Sequence, residues 1–268
     1  MSPGRLLSLA HFTVMDADPV GLVEAGAAGG FDAVGLRIVP PFPADRIVEV
    51  VGDLPLQRRI LERLRATGLF ILDVEAFWLH PSTEVETLLP ALDTAVALGA
   101  RHVLTVGNDP DRGRMAARFA AFCAACHERG LRAMLEFIPY SALRSLGEAA
   151  SFLAEVAPAD AGILVDALHL SRSGGSPADL AGHDPALFSY AHLCDAPARL
   201  PPPEAIRAEA RGGRLYPSEG GLKLAEFVAA FPPDTPLAVE APRSDFAAMS
   251  PAERARRAGA ASRALLRA

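Results

Sequence analysis

The sequence contains the run Gly162-Ile163-Leu164-Val165-Asp166-Ala167-Leu168-His169, in which apolar residues lead into a carboxylate. A short apolar run without polar alternation is typical of a strand that is buried on both faces of a parallel sheet. An ionised Asp166 at the end of such a strand is unfavourable unless the carboxylate is paired or binds a metal. The run therefore predicts a parallel sheet and a partner for Asp166.

Three other apolar segments end in the same way, at Glu136, His192 and Glu240. Because the C-terminal ends of neighbouring parallel strands lie side by side, we expect these three side chains and Asp166 to converge on one point. Each acidic residue alone would more often be a helix cap or an ion-pair partner. Three carboxylates and one imidazole together favour one divalent cation, Mn²⁺ first and Mg²⁺ or Co²⁺ as alternatives, over a structural zinc ion, which prefers thiolates.

Strand-like and helix-like segments alternate about eight times along the chain, a pattern that is typical of a (β/α)8 barrel. We predict a single TIM-barrel domain over residues 1–268. The first strand is followed by His11-Phe12-Thr13-Val14 rather than by a G-x-G-x-x-G turn, so we expect no nucleotide cofactor. A short sixth helix is expected after Ser176-Pro177. Residues 195–221 contain three consecutive prolines and are expected to be the longest irregular segment.

Charge and hydropathy restrict the classes of partner. The formal net charge of −6 argues against a surface for nucleic acid, so a small-molecule substrate is expected. No stretch approaches the roughly 20 apolar residues of a membrane span. The first residues lack the pattern of a signal peptide, which predicts a cytoplasmic protein that does not bind membranes.

One motif is interpreted as structural. Cys123-Ala124-Ala125-Cys126-His127 matches the C-x-x-C-H pattern of haem attachment. The motif lies within a predicted helix with regular apolar periodicity, and no export signal precedes it. We therefore interpret both cysteines as packing residues and expect no haem.

The segments around the four candidate ligands resemble the metal motifs of the xylose-isomerase-like TIM barrels, the sugar phosphate isomerase/epimerase superfamily. The segments are Leu135-Glu136-Phe137-Ile138-Pro139, Val165-Asp166-Ala167-Leu168-His169, His192-Leu193-Cys194-Asp195 and Val239-Glu240. The resemblance implies that Glu136, Asp166, His192 and Glu240 hold one divalent cation and that His169 contacts a substrate oxygen. It also implies that Glu136 and Glu240 act as acid and base on opposite faces of a metal-stabilised cis-enediolate.

Other residues are candidates for substrate binding. The segment from Arg211 to Gly220 resembles a loop of the same family, so Arg211 or Arg214 is the candidate for a cation that faces the substrate. A solvated arginine on a mobile loop is the alternative. Arg37, at the end of the second predicted strand, could pair with a substrate carboxylate or phosphate. Trp78 could form an aromatic wall of the pocket or could fill the core.

These observations favour an isomerase or epimerase of a sugar or polyhydroxy ketone. The alternative is a metal-dependent lyase or dehydratase of a cyclic or linear polyhydroxy ketone, since the family contains such enzymes for inosose and dehydroshikimate. A DNA-repair endonuclease would need more His and Asp ligands and a basic surface, and neither is apparent. A non-catalytic binding barrel is a further alternative. Barrels of this family often pair, which leaves a homodimer or a homotetramer open.

Overall fold

A computed structural model of the protein describes residues 4–42, 44–158 and 160–267; residues 1–3, 43, 159 and 268, which the predicted domain includes, lie outside this part. The strands are β1 (Leu7–Ala10), β2 (Ala33–Arg37), β3 (Phe70–Leu79), β4 (His102–Gly107), β5 (Arg132–Glu136), β6 (Ala161–Asp166), β7 (Ala191–Leu193) and β8 (Leu237–Val239). All pairings are parallel, and each strand pairs with the next until β8 closes the barrel against β1. The predicted (β/α)8 barrel is confirmed.

Helices connect the strands on the outside of the barrel. The α-helices are α1 (Pro19–Gly29), α2 (Leu54–Thr67), α3 (Leu89–Ala97), α4 (Arg112–His127), α5 (Leu146–Val156), α6 (Ala167–Arg172), α7 (Pro203–Gly212), α8 (Leu224–Ala229) and α9 (Pro251–Leu265). Short 3-10 helices cover His11–Val14, Val85–Leu88, Pro177–Gly182, Pro185–Leu187 and Ser244–Phe246. Parallel strands require such crossover connections, which place every strand C-terminus at the same rim.

Local sequence determines where α1 begins and ends. The side chain of Asp18 accepts a hydrogen bond from the backbone N–H of Gly21 at 2.7 Å, and Pro19 occupies the first helical position. After Gly29 the backbone reverses at Gly30, whose φ of 68° lies in the left-handed region that glycine adopts at little cost. Both ends of this helix agree with the sequence prediction.

Apolar side chains form one layer between the strands and helices and a second layer inside the barrel. The outer layer includes Leu9, Phe119 and Phe152, and the inner layer includes Leu104, Met134, Leu164 and Tyr190. Successive strand residues point to opposite sides of the sheet. The carboxylates that end the inward-facing rows therefore lie above the inner layer and face the open rim.

The prediction that residues 195–221 form an irregular segment is wrong, because this segment contains α7. Pro203 occupies the first turn of the helix, where its missing N–H removes no intrahelical hydrogen bond. The residues that follow include several alanines and charged residues that favour helix. The three consecutive prolines before these residues led to the prediction of an irregular segment.

The short helix expected after Ser176-Pro177 is a 3-10 helix over Pro177–Gly182. An unexpected α-helix, α6, begins directly after β6. Its N-cap is Asp166, whose side chain accepts a hydrogen bond from the backbone N–H of His169 at 2.9 Å. The strand end that carries a candidate metal ligand is thus also a helix start.

The C-x-x-C-H motif lies in α4. Its cysteines, Cys123 and Cys126, are buried within the outer apolar layer. Among the helices of the described ranges, none combines the length and the hydropathy that crossing a membrane requires.

Candidate metal centre

Four chemically matched side chains meet at the C-terminal rim of the barrel. Glu136 ends β5, Asp166 ends β6, His192 lies in β7 and Glu240 directly follows β8. One potential ligand atom from each residue lies within 4.8 Å of the others, and all four residues are buried. The structure therefore brings together the four residues that the sequence predicts as metal ligands.

The His192 ring is the centre of this cluster. Its Nδ1 atom lies 3.8 Å from Oε1 of Glu136, 3.8 Å from Oδ2 of Asp166 and 3.5 Å from Oε2 of Glu240. Among the residues that the structure describes, three atoms of the cluster have no hydrogen-bond partner: the two ring nitrogens of His192 and Oε1 of Glu136. Buried polar atoms without partners are unfavourable, and a divalent cation would satisfy Nδ1 of His192 and Oε1 of Glu136. This donor set fits a divalent cation.

The cluster shifts the protonation of its own members. Burial raises the pKa of Glu136 well above its usual range. Burial alone would lower the pKa of His192, but the surrounding carboxylates, Glu240 foremost, outweigh it and raise this pKa to about 10. A proton and a metal ion would compete for such a site, because both are held by the same negative charge.

Arg214 lies against two of the four residues. Its Nη1 atom is 2.5 Å from Oδ2 of Asp166, and its Nη2 atom is 2.9 Å from Oε2 of Glu240. Burial alone would raise the pKa of both carboxyl groups, but the Arg214 guanidinium holds both pKa values below their usual range. The Arg214 side chain is only 2% exposed, so it is part of the cluster rather than a mobile surface group.

His169 lines the cavity in front of the cluster. Its ring lies edge-on to Tyr140, with the centroids 5.9 Å apart, and Nδ1 has no hydrogen-bond partner in the described ranges. Burial lowers the pKa of His169 to about 4, which leaves the imidazole neutral near pH 7. A neutral ring that faces the cavity can exchange hydrogen bonds with a ligand oxygen.

Arg37 and Trp78 also line the cavity. Nη2 of Arg37 pairs with Oε2 of Glu75 at 2.8 Å, and its guanidinium lies 4.7 Å from the centre of the Phe12 ring. Trp78 packs against Phe42, with ring centroids 4.9 Å apart. Arg37 is therefore held in place by a buried carboxylate, while Trp78 forms one aromatic wall.

Arg211, the alternative to Arg214, has a different environment. Its side chain is 42% exposed, and its contact with Asp45 is long, at 3.6 Å. The guanidinium lies 5.8 Å from the centre of the Phe12 ring, at the mouth of the cavity. The two arginines that the sequence left open thus lie at the two ends of the same pocket.

Sequence reasoning did not identify Phe12, Tyr140 and Ala210 as part of the cavity lining. Phe12 follows β1 and Tyr140 follows the strand-end motif of Glu136 by four residues, so their positions after strands were a usable signal. Ala210 carried no such signal because it belongs to α7. The space between these side chains is about 450 Å³ and opens to solvent at the mouth.

Comparison with known proteins gives a family match. The sequence profile described as xylose isomerase-like TIM barrel matches residues 23–266. No sequence among curated proteins matches significantly.

Solved structures show the same architecture. The chain is similar to the IolI protein with a bound zinc atom (TM-score 0.80, 16% identity, covering 97% of this chain and 98% of that chain). It is similar to D-allulose 3-epimerase from Methylomonas sp. (TM-score 0.70, 17% identity, covering 98% and 99%). It is also similar to the probable 3-DHS dehydratase AsbF from Bacillus anthracis (TM-score 0.74, 14% identity, covering 96% and 98%). At these identities the likeness demonstrates a common fold.

Proposed function

Because the chain belongs to the xylose isomerase-like TIM barrel family, we propose that it is a divalent-metal-dependent isomerase or epimerase of a sugar or polyhydroxy ketone. The observation that carries this proposal is the buried cluster of Glu136, Asp166, His192 and Glu240 at the C-terminal rim. TIM-barrel enzymes place their chemistry at this rim. The similarity of fold to D-allulose 3-epimerase supports the same reaction class.

Glu136, Asp166, His192 and Glu240 would hold the ion, and a divalent cation there supplies positive charge for the substrate oxygens on which negative charge develops. Glu136 and Glu240 are the proposed acid and base. Glu136 ends β5 and Glu240 directly follows β8; these strands lie three apart around the barrel, so the two carboxylates approach the cavity from different sides. One carboxylate would remove the proton from the carbon beside the carbonyl, and the other would return a proton.

The site of proton return determines the product. Return to the same carbon from the opposite face inverts that carbon, and return to the neighbouring carbon moves the carbonyl. His169 would orient the substrate, because its neutral ring lines the cavity and can hydrogen-bond to a hydroxyl or carbonyl oxygen. Trp78 and Tyr140 would exclude water from the reacting carbon, since both contribute aromatic walls.

A metal-dependent dehydratase is the second candidate, favoured by the similarity of fold to AsbF. The same proton removal would be followed by loss of a β-hydroxyl group rather than by reprotonation. The first step would then be shared by the two reactions, and only the fate of the intermediate would differ.

An exchange experiment separates the candidates. Protein loaded with Mn²⁺ is incubated with a panel of ketoses and polyhydroxy ketones in D₂O, and the products are followed by NMR. Deuterium at the α-carbon without loss of water supports the isomerase or epimerase. An unsaturated or diketone product supports the dehydratase, and the absence of both outcomes across the panel contradicts the proposal. Mn²⁺ as the ion, a homodimer or homotetramer, and a cytoplasmic location stay predictions.

A further inference from the structure

We propose that the substrate carries an anionic oxygen group, a carboxylate or a phosphate, and that Arg207 and Arg211 of α7 bind this group together with Arg37. The inference rests on the proposed function, since it concerns the substrate of the same cavity. It assigns Arg207, which the sequence analysis does not identify, to substrate recognition.

Helix α7 carries the first two of these arginines over the mouth of the barrel. Arg207 and Arg211 are four residues apart and therefore share one face of the helix. The Arg207 guanidinium lies 5.3 Å from the centre of the Phe42 ring and 5.9 Å from that of Tyr140. The Arg211 guanidinium lies 5.8 Å from the centre of the Phe12 ring. This face of α7 thus points at the cavity rather than away from it.

The aromatic rings come from loops that frame the same opening. Phe12 follows β1, Phe42 follows β2 and Tyr140 follows β5. A guanidinium that lies over an aromatic ring is oriented by the ring face, while its N–H groups, which lie in its own plane, stay available. Such a fork of donors matches the two oxygens of a carboxylate or of a phosphate.

The arginines at the mouth have few acidic partners among the described residues. At the mouth, Arg211 makes only the long contact with Asp45. Arg207 makes no ion pair within the part of the chain that the structure describes. The Arg207 guanidinium is therefore available to an anionic ligand at the mouth.

Arg37 extends this cationic surface inward. Only one hydrogen bond from its guanidinium, to Glu75, is present, and its Nε atom has no partner among the described residues. Arg37 is 8% exposed and lines the same cavity as Arg211. The Arg37 guanidinium thus adds positive charge to the same cavity from the inner side. A neutral sugar offers no charge to these three arginines, whereas an anionic substrate gains from all of them.

The test is calorimetric binding of three ligands with the same first five carbons: D-fructose, D-fructuronate and D-fructose 6-phosphate. Each is titrated into Mn²⁺-loaded wild type, into the double variant R207A/R211A and into R256A. Arg256 is an exposed residue of α9 without an ion pair in the described ranges, so R256A is a control for the loss of a surface arginine outside the cavity. Circular dichroism verifies that each variant is folded.

We expect at least one anionic ligand to bind wild type and R256A about tenfold more tightly than D-fructose does, and this preference to fall to within about threefold in R207A/R211A. The better anionic ligand identifies the group as carboxylate or phosphate. Raising the salt concentration should weaken the preference, because the Arg207 contact is exposed.

Anionic ligands that bind wild type no better than D-fructose, or a preference that survives in R207A/R211A, would overturn the inference. Deuterium exchange on the bound ligand is measured separately. If an anionic ligand binds through the arginines but shows no deuterium exchange, the anion site is supported and the proposed reaction is contradicted. The two failures are therefore distinguishable.

Discussion

The Nη1 atom of Arg214 lies 2.5 Å from the Oδ2 atom of Asp166 in a fully buried ion pair. The same guanidinium reaches Oε2 of Glu240 at 2.9 Å. Arg214 lies two residues after α7, whereas Asp166 ends β6 and Glu240 directly follows β8. One side chain therefore ties the segment over the cavity to two of the four candidate metal ligands.

Replacing Arg214 by methionine tests this link, because methionine retains apolar length and removes the charge. We expect R214M to lower the free energy of unfolding of the metal-free protein by about 3–5 kcal/mol, since Asp166 and Glu240 would be buried without their cation. Mn²⁺ should stabilise the variant more than wild type. Urea unfolding in EDTA and in Mn²⁺ measures both effects.

The control is Arg58→Ala in α2. Arg58 is exposed and has no ion pair among the described residues, so its replacement should change stability by less than about 0.5 kcal/mol. If R214M and R58A were equally stable in EDTA, the buried pair would not stabilise the fold.

Replacing Glu136 by glutamine tests the metal centre. Saturating Mn²⁺, at about one hundred times its dissociation constant, should stabilise wild type by about 2.7 kcal/mol. We expect E136Q to lose most of this gain, because glutamine is a poor ligand for a hard cation. Thermal unfolding with and without Mn²⁺ and calorimetric titration of the metal measure the effect. Glu62→Gln, at an exposed position of α2, is the matched control. Equal Mn²⁺ affinity in wild type and E136Q would exclude Glu136 as a ligand.

The barrel and the convergence of the four residues could be predicted because both follow from local patterns. Asp166 ends an apolar run, and so do Glu136 and Glu240. In a parallel barrel, a residue at a strand end has its place fixed by topology alone. The four residues can therefore meet even though they are far apart along the chain.

The surroundings of the cluster could not be predicted in this way. The contact between Arg214 and Asp166 joins residues 48 positions apart and depends on how α7 lies over the barrel. Helix α7 was not predicted, because three consecutive prolines, residues 201–203, indicated an irregular segment. Sequence resemblance therefore left Arg211 and Arg214 equivalent, whereas packing places one at the mouth and the other against the carboxylates.

Replacing Glu240 by glutamine tests the proposed proton transfer. The side chain keeps its size but can no longer accept a proton. We expect turnover of a true substrate to fall by about 10²–10⁴-fold, with a comparable fall in E136Q. The measurement is deuterium incorporation at the α-carbon, read at saturating Mn²⁺ so that weaker metal binding does not cause the loss. Full turnover in E240Q with metal bound would show that Glu240 transfers no proton.

Asp109 makes stability depend on pH at a distance from the candidate ligands. The hydrogen bond from Arg114, at 2.6 Å, lowers the pKa of the Asp109 carboxyl to about 2. A carboxyl group whose pKa is lower in the folded state stabilises the fold above its unfolded pKa of roughly 3.9, and this stabilisation is lost as the pH falls towards 2. D109N should be less stable than wild type at pH 7, and the difference should shrink between about pH 5 and pH 2. Urea unfolding across this range is the measurement, and a difference that does not change with pH would contradict the assignment.

Gly220 lies in the segment 195–221, where its backbone packs closely against Asp195 and Ala196. Its backbone N–H donates to Oδ2 of Asp195 at 2.9 Å, and a Cβ atom at this position would lie 2.5 Å from Oδ1 of the same residue and also against the carbonyl oxygen of Ala196. G220A should therefore lower the free energy of unfolding by about 1–3 kcal/mol through overpacking. G147A, in α5 where no atom lies within 4 Å of the added methyl, should instead raise it by up to about 1 kcal/mol. Urea unfolding of both variants, with limited proteolysis of residues 195–221, checks the opposite signs. Equal stability of the two would mean that the segment accepts a methyl group beside Asp195 without strain.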